Sequence, residues 1–77
     1  MKQVTIYTTP TCSFCHMTKA FFKDNEVAFT EVDLTQDQES MREVVEATGQ
    51  MGVPVTKIDD DYVIGFDKAT LSRLLGL

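Results

Sequence analysis

Val4-Thr5-Ile6-Tyr7-Thr8-Thr9-Pro10-Thr11-Cys12-Ser13-Phe14-Cys15 is the stretch where the period of the chain changes. Val4 and Ile6 alternate with Thr5 and Tyr7, the two-residue repeat of a strand. Winding residues 14 to 23 as a helix puts Phe14, Cys15, Thr18, Phe21 and Phe22 on one stripe, with His16, Lys19, Lys23 and Asp24 away from its centre. Cys12 and Cys15, the only cysteines, stand at the joint between the two patterns. Two thiols at the first turn of a helix can close into a disulfide and reopen, and the free N–H groups of the helix end favour a thiolate. The spacing does not suit a staple. Closing a ring of about four residues removes only about 2 kcal/mol of unfolded-chain entropy, against nearly 5 for a long loop.

Outward from this joint, Asn25 is expected to end the helix in the left-handed conformation. Val27 to Val32 reads as the next strand. Thr35 followed by Gln38 has the spacing of a capping box, opening a helix that buries Met41, Val44, Val45 and Thr48 and stops at Gly49. Val53-Pro54-Val55 begins a strand, Asp59-Asp60-Asp61 turns, and Tyr62 to Ile64 returns as a hairpin partner. Gly65 breaks that strand, and Asp67 caps a last helix carrying Leu71, Leu74 and Leu75 and ending near Gly76. The order β-α-β-α-β-β-α predicts an α/β fold with a mixed four-stranded sheet and flanking helices, one domain over residues 1–77.

Composition narrows the function classes. Charged residues at 25% and hydrophobic ones at 43% are an ordinary soluble balance. The net charge of −5 argues against nucleic acid or an anionic membrane surface as the main partner. No apolar stretch approaches the roughly 20 residues that span a bilayer, and no signal-peptide core follows Met1. A reducing cytoplasm is the expected compartment, and structural disulfides are rare there.

Three segments point one way: Thr8 to His16, Gly52-Val53-Pro54-Val55, and Tyr62-Val63-Ile64-Gly65-Phe66-Asp67. With them the chain resembles the glutaredoxin and glutaredoxin-like branch of the thioredoxin superfamily over nearly its whole length. The resemblance implies a thioredoxin-like fold and a thiol–disulfide oxidoreductase that reduces protein disulfides. It implies that Cys12 is the exposed nucleophile and Cys15 the buried resolving thiol. It implies a cis bond between Val53 and Pro54, with Val53 offering its backbone to the substrate chain. Thr11, Phe14, Val53, Pro54, Gly65, Phe66 and Asp67 form the expected substrate-facing set. No metal and no cofactor beyond the redox-active disulfide is expected, and the protein is expected to be a monomer.

Departures from the family pattern bear on the electron donor. Glutathione-using members commonly have Pro after the first cysteine, where this chain has Ser13, and Lys three residues before it, where this chain has Thr9. They carry Gly-Gly before the acidic segment that grips the γ-glutamyl end, where this chain has Gly65-Phe66-Asp67. These differences favour re-reduction by a flavoprotein such as thioredoxin reductase over glutathione. Ribonucleotide-reductase-linked redoxins share the Gly-Phe but usually precede it with Trp-Ser, which is missing here.

Plainer readings stand beside these. A structural zinc site needs four ligands, and Cys12, Cys15 and His16 are the only S or N ligands nearby. Cys12-x-x-Cys15-His16 also matches a c-type haem attachment motif, which would require export. An iron–sulfur cluster held by the same thiols is the competing class, a binding module rather than an enzyme. His16 reads as a solvent-facing residue, Lys19 as a solvated lysine that could otherwise bias the Cys15 thiol, and Asp59-Asp60-Asp61 as a solvated turn. Phe14 and Phe66 are divided between core packing and partner contact. Met41 and Met51 read as packing residues.

Overall fold

The computed structural model describes residues 2–49 and 54–77. Its elements are β1 (Val4–Thr8), α1 (Ser13–Asp24), β2 (Thr30–Asp33), α2 (Gln38–Thr48), β3 (Val55–Ile58), β4 (Asp61–Ile64) and α3 (Lys68–Leu75). The four strands form one sheet in the order β2-β1-β3-β4. β1 runs parallel to β2 and antiparallel to β3, and β3 and β4 make the hairpin. The mixed sheet and the element order are those expected from the sequence.

The two faces of the sheet carry separate cores, as alternation requires. Val4, Ile6, Ile58 and Val63 pack with Phe22 of α1 and Leu71 of α3. Tyr7 and Val55 point the other way, to Leu34 and Val44 of the α2 side. The predicted helical stripe holds for Cys15, Thr18 and Phe22, all buried, while Phe21 is half-buried and Phe14 lies outside at 58% exposure. On α2 only Val44 is fully buried; Met41, Val45 and Thr48 are half-buried. Met51 and the predicted strand start at Val53 lie outside the described residues.

Local signals were misplaced at four points. Asn25 has φ −102°, and the left-handed residue is its neighbour Glu26, at φ 57°. Val27 N–H donates to the Phe22 carbonyl at 2.8 Å and Glu26 N–H to that of Lys23 at 3.2 Å, which closes the helix with a Schellman pair. Asn25 instead turns its side-chain amide back onto the Phe21 carbonyl at 2.9 Å. The exit occupies the residues after α1, and β2 therefore begins at Thr30 rather than Val27. Pairing with β1 starts there, Thr5 opposite Thr30.

The predicted capping box at Thr35 and Gln38 does not form. Asp37 is the N-cap of α2, accepting from Ser40 N–H at 3.1 Å, and Thr35 donates instead to Asp33 through its N–H at 2.8 Å and its hydroxyl at 2.6 Å. A carboxylate two residues back competes well for those donors. In the hairpin, Asp59-Asp60 forms the turn and Asp61 already belongs to β4. Asp59 has a structural role as well: Gln3 N–H donates to its carboxylate and its own N–H to the Gln3 carbonyl, both at 2.9 Å, tying the turn to the start of β1. Asp67 caps α3 as expected, accepting from Thr70 N–H at 3.2 Å and Thr70 hydroxyl at 2.7 Å.

Two predictions concern stability. Phe22→Ala should cost about 3–5 kcal/mol, most of what so small a domain has, whereas Phe14→Ala should cost under about 0.5. Urea unfolding of both variants checks this. The second concerns acid. The Ser40 amide and hydroxyl hold the Asp37 carboxyl below its usual range, and the Thr70 hydroxyl and amide do the same for Asp67. Carboxyls lowered by folding contribute stability that is full above the unfolded Asp value of about 3.9 and is lost as pH falls through the folded value. Asp37→Asn with Asp67→Asn keeps neutral caps and removes the titration. The double variant should therefore show a shallower fall of Tm with pH on the acid side.

Candidate active site

The chain leaves β1 at Thr8 and reverses through Thr9-Pro10-Thr11 into α1. Cys12 N–H donates to the Thr9 carbonyl at 3.3 Å, which makes residues 9–12 a turn with Pro10 at the position where its fixed φ fits. Cys12 then takes extended backbone angles (φ −92°, ψ 110°) and serves as the N-cap of α1. Its sulfur accepts the Cys15 N–H at 3.1 Å. The first turn of α1 carries no acidic residue, so no carboxylate competes for the positive end of the helix. A sulfur in this place accepts an orphan helix donor, and a thiolate accepts it better than a thiol.

Cys12 and Cys15 are joined as a disulfide, their Cα atoms 5.2 Å apart. The two sulfurs differ in access. Cys12 is half-buried, whereas Cys15 is 1% exposed and faces the sheet. Helical geometry causes this: Cys15 belongs to the seam that continues through Thr18 and Phe22, and Cys12 precedes the helix.

The remaining predicted residues gather at the same end of the sheet by strand register. Tyr7 opposes Val55, so Pro54 lies alongside Thr8, where the cysteine loop begins. Pro54 is fully buried, and its carbonyl accepts from Gly65 N–H at 2.8 Å. Gly65 has φ 74°, a conformation that costs a residue with a Cβ about 1–2 kcal/mol. Thr11 is exposed in the turn before Cys12, and Asp67 is exposed with both carboxylate oxygens engaged by Thr70. Val53, and with it the expected cis bond, lies outside the described residues.

Phe66 is half-buried, its ring edge-on to Phe21 at 6.0 Å between centroids, with Lys68 Nζ 5.8 Å from the Phe21 ring centroid. The Phe66 ring is thus folded onto α1. Phe14 takes the opposite choice. It projects outward with Met17, also exposed, one helical turn along. His16 is exposed as expected. Lys19 is not a free lysine: its Nζ pairs with Glu31 at 2.9 Å, and the same carboxylate oxygen accepts from the Thr8 hydroxyl at 3.0 Å. The Lys19 hydrogen bond, with that of Thr8 acting against desolvation, holds the Glu31 carboxyl below its usual range. Nothing local marks Thr8, Lys19 and Glu31 as a group, because they meet only once the βαβ crossover is closed.

A model of the glutaredoxin family matches residues 4–63. Among curated proteins, a glutaredoxin-like 8.6 kDa protein of Clostridium pasteurianum is 36% identical over 94% of this chain and 96% of its own length. Glutaredoxin 3 of Escherichia coli K12 is 33% identical over 87% of this chain and 81% of its own. Among solved structures, the glutaredoxin-like NrdH-redoxin of Escherichia coli, described for its thioredoxin-like activity profile, superposes with a TM-score of 0.82 at 29% identity, covering 94% of this chain and 93% of that one. The sheet order, the helix-capping dithiol and these likenesses agree, and the chain belongs to the glutaredoxin family as a glutaredoxin-like redoxin with a thioredoxin-like fold.

Proposed function

We propose that this protein reduces disulfides of other proteins through Cys12 and Cys15 in a reducing compartment, the cytoplasm, and is itself re-reduced by a thioredoxin-reductase-type flavoprotein. Family membership supports the coarser part, thiol–disulfide oxidoreduction. The observation that carries the assignment of roles is the asymmetry of the pair: a half-exposed sulfur accepting a helix N–H, and a buried sulfur bonded to it. Cys12 thiolate attacks one sulfur of the substrate disulfide, and the other sulfur leaves with the electron pair. Cys15 then attacks Cys12, releases the second substrate thiol and closes the internal disulfide. Two electrons pass to the substrate, and the donor returns them to the pair. No resident cofactor is needed.

Magnitudes show what tuning Cys12 achieves. A free cysteine near pKa ~8.5 is about 3% ionised at pH 7, and one lowered to ~6 is about 90% ionised. Nucleophilicity falls with basicity, which leaves a net gain in attack of only about threefold. The larger effect is that a cysteine so lowered is a better leaving group when its disulfide is attacked.

The choice of donor rests on what the acidic segment is doing. Gly65 N–H is held by Pro54, the Phe66 ring by Phe21, and the Asp67 carboxylate by Thr70. The groups that would grip a γ-glutamyl end are occupied internally. Thr9 offers no charge to a glycine carboxylate, and a charge-assisted hydrogen bond is worth about 1.5–3 kcal/mol, or about 10- to 150-fold in affinity. Likeness to a redoxin with a thioredoxin-like activity profile adds support.

Two experiments test this. Cys12→Ser should abolish reduction of any protein disulfide, while Cys15→Ser should stall as a mixed disulfide visible on non-reducing gels; trapping by the Cys12 variant instead would reverse the roles. For the donor, NADPH with thioredoxin reductase should sustain faster turnover than NADPH with glutathione and glutathione reductase. Faster turnover with glutathione would defeat the donor assignment. Thr9→Lys should recover part of the glutathione activity, and Phe66→Gly should add to it where the protein remains folded.

A further inference from the structure

Three threonines, Thr8, Thr18 and Thr56, are the buried polar residues among those described. Thr8 donates to Glu31 at 3.0 Å and Thr18 to the Phe14 carbonyl at 2.9 Å. The Thr56 hydroxyl has no partner, the one buried side-chain oxygen or nitrogen so placed among the described residues, and Thr56 is 0% exposed. Valine would fill the same space without an unpaired hydroxyl, so a threonine here weakens the fold unless another state of the protein uses it.

Register locates the group. Thr56 stands between Ile6 of β1 and Val63 of β4, and both belong to the core under α1 and α3. Cross-strand partners share a face, so Thr56 points to the same side. β1 and β2 are parallel, and α1 must therefore run back along β1 from the end where the strand finishes. Its buried seam, Cys15, Thr18 and Phe22, descends over the sheet from that end. Cys15 to Thr18 is about 4.5 Å along the helix, and Thr8 to Ile6 is about 7 Å along the strand. Thr56 is therefore on the face that α1 covers, beside Ile6 and two residues in from the strand end that leads to the cysteines. Cys15 is the buried group there whose hydrogen-bonding capacity changes with redox state.

We propose that Thr56 is a positioning residue for the resolving thiol: its hydroxyl hydrogen-bonds the Cys15 sulfur when the pair is reduced and loses that partner when the pair is oxidised. This rests on the disulfide-reductase reading. A disulfide sulfur is a weak acceptor with no proton to donate, whereas the resting Cys15 thiol can donate to the hydroxyl and the thiolate it becomes on attack is a strong acceptor. In the resolving step the Cys15 sulfur lone pair forms the bond to Cys12 and the Cys12–substrate bond breaks. The electron pair leaves on the substrate sulfur, which takes up the proton Cys15 gave up. Thr56 keeps its own proton throughout and orients the attacking sulfur. The unpaired hydroxyl destabilises the oxidised protein relative to the reduced one, which makes the pair a stronger oxidant than it would otherwise be.

Thr56→Val should therefore act with opposite signs in the two redox states. The oxidised variant should unfold at higher urea than the oxidised wild type, and the reduced variant should not. In dithiothreitol redox buffers the reduced-to-oxidised ratio of the variant should fall about tenfold, a potential about 30 mV more negative. Thr56→Ser should hold the wild-type potential, and release of substrate from the mixed disulfide should slow in the valine variant alone. Equal stability changes in both states with an unmoved potential would mean a packing residue only and would overturn the inference. If the wild-type pair does not exchange with the buffer at all, the functional reading itself fails. A wild type that titrates beside a valine variant at the same potential sinks only this inference.

Discussion

The site depends on β1 being hydrogen-bonded on both sides. β2 pairs with it in parallel and β3 antiparallel, so the strand's end at Thr8 is held in place, and everything attached to that end inherits its position. The cysteine turn follows Thr8 directly. Pro54 is brought beside it by the register of β3, and Gly65 is brought to Pro54 by one further backbone hydrogen bond. A one-residue slip of β3 would exchange Val55 for Thr56 on the α2 face and carry Pro54 away from the cysteines. Buried Val4, Ile6 and Ile58 on one face, with Tyr7 and Val55 on the other, make such a slip costly.

On that frame the chemistry is divided between a cap and a seam. Cys12 precedes α1 and uses its sulfur where a serine or aspartate side chain would ordinarily cap the helix, so the backbone donor that orders the helix also meets the Cys12 sulfur. Cys15, three residues on, is part of the apolar seam and is shielded from solvent. One helix terminus thus sets apart two chemically identical groups. Exposed Phe14 and Met17 flank the pair on the outer side, while Phe66 is drawn inward to Phe21 and holds the segment after β4 against α1.

Much of this was legible in the chain. The alternation of Val4 to Tyr7, the helical stripe from Cys15 to Phe22, the turn at the aspartates and the cap at Asp67 are local patterns, and local patterns survive into the fold. Helix ends were less legible. Asn25 and Thr35 carry the right chemistry for a terminus, but the positions were taken by Glu26 and Asp37. Several residues in a row could cap, and competition among neighbours decides: Asp33 draws the Thr35 donors and Asp37 caps α2.

The sequence by itself determined the element order and the dithiol at a helix N-terminus, because each follows from spacing within about a dozen residues, and the mixed sheet follows from that order. Tertiary structure alone decided the rest. It turned Phe14 out and Phe66 in, joined Thr8, Lys19 and Glu31, and left the Thr56 hydroxyl unpartnered in the core. These outcomes depend on which side chains meet across strands and over the crossover helix, contacts between residues far apart in the chain that no local period records.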